Sequence, residues 1–93
     1  MPPVHPGEIL KEMYLDPLGV TVSQFGVIIG VARRTVSLII NGHSGISVEM
    51  ALRLSKALNT TPELWLNIQR DYDLWNAKKT IELSGISNIV PAA

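Results

Sequence analysis

Apolar residues recur along this chain with helical rather than strand spacing, and the segments they define are separated by proline, glycine and short polar residues. Ile9, Leu10, Met13 and Tyr14 give a stripe at i, i+1, i+4, i+5, which predicts a first helix from about Pro6 to Leu15. Pro6 suits an early helical position and Glu8 favours the positive end of the helix dipole. Asp16-Pro17-Leu18-Gly19 follows as a stop signal, because proline and glycine both resist helix continuation. Thr21 is the expected N-cap of a second helix that buries Phe25 and Ile28–Ile29 and ends at Gly30, with Val31 packing under the turn. A third helix, from about Arg33 to Ile40, buries Val36 and Ile39 and stops at Asn41-Gly42.

His43-Ser44-Gly45 is expected as loop, and Ser47 caps a fourth helix carrying Met50, Leu52, Leu54 and Leu58. Thr60-Thr61-Pro62-Glu63 is the clearest helix start, with Thr61 as cap, proline next and an acid in the first turn. That fifth helix runs to about Lys78 or Lys79, with Leu64, Ile68, Tyr72 and Trp75 on one face. Beyond it, Ile81-Glu82-Leu83 alternates as a short strand does, and Pro91-Ala92-Ala93 reads as a frayed end. The fold class is therefore all-α: five helices in one domain over residues 1–79, then a C-terminal extension, 80–93, that is either a tail or a short dimerisation strand.

Ninety-three residues suffice for one helical core and not for two. Without cysteine there are no disulfides or thiolate metal sites, and nothing points to an oxidising compartment. The start M-P-P-V-H-P lacks a signal-peptide layout, and no apolar run is long enough to span a bilayer. A cytoplasmic protein with no membrane association is the expectation.

The formal charge is zero, yet its distribution is uneven. No acid occurs between Asp16 and Glu49. Residues 17–61 hold Arg33, Arg34, Arg53 and Lys56 against Glu49 alone, a net +3, and the remainder of the chain carries −3. Within the acid-free stretch, residues 21–42 form two short helices hinged at Gly30, the smallest unit that can lay a helix in a DNA major groove. Arg33 and Arg34 at the start of its second helix are the leading candidates for base contact. Arg53 and Lys56 are expected to be solvated on the fourth helix, and His43 is either a phosphate contact or a plain loop residue.

Catalysis finds little support. His5 and His43 neighbour no activated nucleophile, and Asp71 and Asp73 diverge on their helix. No glycine-rich phosphate loop or metal-ligand spacing occurs, so neither cofactor nor metal is expected. Trp65 and Trp75 lie on different faces of one helix, and the expectation is one in the core and one at a dimer or partner surface.

The order T-x(8)-G-V-x(4)-[VI]-S-x-I-x-N-G resembles the XRE, or Cro/lambda-repressor type, helix-turn-helix family. H-P-G-E-I-L at 5–10, M-A-L-R-L-S at 50–55 and T-P-E-L-W-L-N-I-Q at 61–69 narrow the resemblance to its HigA branch, antitoxins of HigB–HigA toxin–antitoxin modules. The resemblance covers roughly residues 5–78. It implies a five-helix lambda-repressor-like fold, a homodimer that binds its own operator DNA, and neutralisation of a HigB-like toxin that cleaves mRNA. It places Arg33, Arg34, Ser37 and Leu38 at base edges and Thr35 and Asn41 at the DNA backbone. The chain departs from the family pattern at Val22, where many members carry glutamine, at Gly26, where alanine is usual, and at Ala32, which cannot cap a helix as serine or threonine does. Leu38 and Ile40 are large and apolar where polar residues are common. A stand-alone repressor without a toxin is the alternative that the residues leave open.

Overall fold

The computed structural model describes residues 2–91, and over these the chain forms five helices and no strand. Helix α1 is continuous through Pro6–Leu10, a π-helical segment Lys11–Leu15 and a last turn Asp16–Leu18. It is followed by α2 (Val22–Ile29), α3 (Arg33–Ile40), α4 (Val48–Leu58) and α5 (Pro62–Thr80).

The first helix does not stop at Asp16-Pro17 as its sequence predicts. It continues to Leu18 and ends at Gly19, whose left-handed backbone (φ 67°) lets Val20 N–H reach the Leu15 carbonyl at 2.9 Å. The π turn upstream changes which side chains face inward. Leu10 and Leu15, five apart, are buried to 1% and 3% exposure, while Met13 turns out to 66%. One extra residue per turn advances the phase by a step, so the predicted i+3 partner leaves the core and the i+5 residue enters it.

A similar phase argument corrects α2. Phe25, Gly26 and Ile29 are buried, but Ile28 is 59% exposed and Val27 83%. At 100° per residue a run Val27-Ile28-Ile29 cannot face one core, and the i, i+4 pair Phe25 and Ile29 fixes which member goes in. Thr21 caps the helix as expected and does so reciprocally: its hydroxyl accepts from Gln24 N–H at 3.1 Å, and the Gln24 side-chain oxygen accepts from Thr21 N–H at 2.9 Å. Val31 is half-buried under the turn.

Helices α3 and α4 pack Val36, Ile39, Met50, Ala51 and Leu54 against this frame. Leu52, also apolar, is left 54% exposed. At the centre is Trp65 from the first turns of α5, with no exposed surface. Its ring is tilted against Tyr14 at 5.7 Å between centroids, and its indole N–H donates to the Thr60 hydroxyl at 2.9 Å. Trp65 is thus the core tryptophan of the pair. Trp75 lies farther along α5 at 38% exposure, with the Lys79 ammonium 4.8 Å from its ring centre.

The far half of α5 and the exposed residues 81–91 beyond it leave the core behind, and the longest dimension is 52 Å against 24 and 22 Å for the others. Residues 81–83 are irregular and exposed. A strand needs a partner edge for its amides and carbonyls, and the described chain offers none there. Ala92 and Ala93, part of the expected frayed end, lie outside the described residues.

Candidate nucleic-acid interface

Helices α2 and α3 meet at 117°, within the range of two-helix DNA-reading units. The turn is closed by Gly30 at φ 74°, with Val31 N–H bonded to the Gly26 carbonyl at 2.9 Å. Without a side chain at Gly30, the left-handed conformation carries no Cβ penalty and α3 can start shortly after it. Ala32 precedes α3 and makes no side-chain cap, as its methyl dictates; its carbonyl accepts from Thr35 N–H at 3.0 Å.

Burial of Val36 and Ile39, each worth about 1.5–3 kcal/mol when fully buried, sets the rotation of α3 about its axis. The opposite face then carries Arg33, Arg34, Ser37, Leu38 and Asn41. Arg33, Arg34 and Asn41 are exposed; Thr35, Ser37 and Leu38 are half-buried, Thr35 on the flank of the helix. The Asn41 amide donates to the Ser37 hydroxyl at 3.3 Å, which aligns two polar groups one turn apart. His43 is exposed in the loop that follows. Ile40 is half-buried against the core, so its apolar character has a packing role. Leu38 remains on the outward face.

Among the described residues, neither Arg33 nor Arg34 forms an ion pair. The one acid of residues 17–61, Glu49, is taken by Arg53 at 3.0 Å. Arg53 is not simply solvated, contrary to expectation. It is half-buried, and its other guanidinium nitrogen donates to the Ile29 carbonyl at 2.6 Å, satisfying a carbonyl that the end of α2 would leave unpaired. Lys56 is exposed, as expected.

Residues 10–65 match the helix-turn-helix family. An antitoxin HigA-1 from Vibrio cholerae is 45% identical over 76 residues, covering 82% of this chain and 71% of that protein. The chain belongs to the HigA branch of the XRE helix-turn-helix family. An uncharacterised helix-turn-helix transcriptional regulator from Haemophilus influenzae is 42% identical over 91 residues, covering 97% of this chain and 85% of its own. The solved structure of antitoxin GraA in complex with its operator superposes with a TM-score of 0.89 at 41% identity, covering 99% of this chain and 95% of the other. No single helix among the described residues is long and apolar enough to cross a membrane.

Two side chains that hold this HigA-type scaffold together are not evident from sequence. Arg53 carries a partial signal in its i, i+4 spacing from Glu49. Gln69 carries none: its side-chain oxygen accepts from Ile46 N–H across 23 residues of sequence, at 2.8 Å. A third, His5, caps α1 by accepting from Gly7 N–H at 2.9 Å and sets its ring edge-on to Tyr72 at 4.9 Å. A cap followed by proline at the first helical position is a legible pattern, although histidine is not among the common caps.

Burial holds the His5 imidazole below its ordinary value of 6.5, against opposing pulls from Asp73, the Ser44 carbonyl and Glu8. The folded protein therefore binds this proton more weakly than the unfolded chain does. Its contribution to stability is fully present above 6.5 and declines as pH falls through 6.5 toward the folded value. Accordingly, the urea midpoint of the parent is expected to drop more between about pH 7.5 and about pH 5.5 than that of His5→Asn, which keeps a capping acceptor without the titration. Equal drops in the two proteins would remove His5 as the source.

Proposed function

We propose that this chain is the antitoxin of a HigB–HigA type II module: a homodimer that binds its own operator through α3, represses its own operon and neutralises a RelE-like toxin that cleaves mRNA. The observation that carries the DNA-reading part is the outward face of α3, free of acids, with two arginines at its leading end that form no ion pair among the described residues. Arg33 and Arg34 present planar forks that match the O6 and N7 acceptors of guanine. Ser37 meets a base or phosphate, and Leu38 offers apolar contact to a thymine methyl. Thr35, Asn41 and His43 engage the DNA backbone, which fixes register without reading sequence. Two copies are needed because each domain reads one half-site, and half-sites one helical turn apart call for a two-fold dimer. Residues 80–93 extend beyond the DNA-reading domain, and Ile81-Glu82-Leu83 gains its missing strand partner by pairing with the same segment of the second copy. Operator binding places the protein in the cytoplasm. The solved complex of GraA with its operator supports the DNA part of this reading.

The test uses labelled operator from upstream of the gene and fluorescence anisotropy. Arg33→Ala and Arg34→Ala are each expected to weaken binding by about ten- to a hundredfold, the effect of one good base contact. Both positions are exposed, so stability should stay within about 0.5 kcal/mol of the parent. If both variants bind as tightly as the parent, α3 is not the reading element. Co-expression with the adjacent reading frame, scored by growth rescue and co-purification, tests the toxin. Absence of both leaves a stand-alone repressor.

A further inference from the structure

The loop after α3 is fixed from two directions, and only one of them belongs to the helix-turn-helix. From α3, the Leu38 carbonyl accepts from His43 N–H at 2.9 Å and from Ser44 N–H at 3.1 Å. Past Ser44 the chain must cross to Ser47, the cap of α4. The restraint there comes from α5, where Gln69 accepts the Ile46 N–H. The other end of the same amide donates to Asp73 at 2.9 Å. An ionised carboxylate can only accept, so Asp73 takes the NH2 group and obliges the oxygen of Gln69 to face Ile46. The amide also lies flat on Gly45: a Cβ there would come within 3.1–3.2 Å of its carbon, nitrogen and oxygen.

We propose that Gln69, oriented by Asp73, is a positioning residue for DNA-backbone contact: it holds the 43–46 loop so that the exposed His43 side chain meets phosphate. This rests on the reading of α3 as the DNA-binding helix. The loop is pinned at Ser44 by α3 and at Ile46 by α5, and the exposed residues between and beside those points are the ones that would follow the DNA strand. Helix α5 makes no claim on DNA itself; its part is to set the height of the loop.

The experiment is operator binding to duplexes in which one phosphate at a time is replaced by a neutral methylphosphonate, at a temperature well below the melting transition of each variant. Gln69→Ala is expected to weaken binding about tenfold and to lose the sensitivity to substitution of the phosphate that the loop engages in the parent. Gln69→Glu should behave similarly, because the new carboxylate faces Asp73. The double variant Gln69→Glu/Asp73→Asn should restore both affinity and the sensitivity at that phosphate, since the introduced carboxylate still accepts from Ile46 while the new amide donates to it. A role confined to stability would lower the melting temperature and leave the pattern of methylphosphonate sensitivity as in the parent, which would overturn the proposal. So would failure of the double variant to recover. Arg33→Ala and Arg34→Ala run alongside: if they bind as the parent does, the DNA-reading assignment fails first, and the two failures are told apart.

Discussion

Gly7→Ala is expected to lower the melting temperature by roughly 8–20 °C, the equivalent of about 2–3 kcal/mol in a domain of this size. Helix α1 crosses α3 so closely at Gly7 that a Cβ would run into the Ile39 carbonyl oxygen, lie 2.6 Å from its carbon and 3.0 Å from the Ile40 Cα. These are backbone atoms of a packed helix, and no rotamer change relieves them. α1 must lift away, opening the core around Leu10 and Val36. Because α3 is the proposed reading helix, the variant should also lose operator affinity by more than its folded fraction explains. Gly85→Ala is the control, since a Cβ there meets nothing. Thermal melts of the two, followed by circular dichroism, check the expectation; equal melting temperatures would show that the crossing can yield.

Trp65→Ala is expected to cost about 3–5 kcal/mol, a large share of the roughly 5–14 kcal/mol typical for a chain of this length. The side chain is wholly buried between α1 and the rest of the core, and its removal leaves Tyr14 without its ring partner and Thr60 without its donor. Trp65→Phe separates the two effects. It keeps most of the packing and loses the bond to Thr60, so it should fall well short of the alanine loss. Urea denaturation of both variants measures the difference. If phenylalanine proves as damaging as alanine, the hydrogen bond outweighs the packing.

The helices are legible in the sequence because their caps are local. Thr21, Ser47 and Thr61 each accept from the amide three residues on, and a cap and its target sit in the same short window of sequence. Burial is less legible where phase, not composition, decides it. Met13 and Ile28 are apolar, and their spacing predicts them inside; a π turn moves the first outward, and the i, i+4 pairing of Phe25 with Ile29 moves the second. Arg53 reads as solvated because its partner, the Ile29 carbonyl, is a backbone atom 24 residues away. Long-range bonds of that kind leave no periodic trace. The candidate DNA residues follow directly from the face that Val36 and Ile39 leave outward, whereas the loop restraint from Gln69 comes only with the packing of α5.

The exposed arginines of α3 also bear on handling of the protein. A chain of zero formal charge gives a conventional cation exchanger little net attraction, yet the outward face of α3 presents Arg33 and Arg34 with no acid beside them in its helix. Heparin, a flexible polyanion, selects for such a face, because local potential rather than net charge governs close association. Retention on heparin at low ionic strength, reduced in the Arg33→Ala/Arg34→Ala double variant, would report the orientation of the molecule before any operator is known.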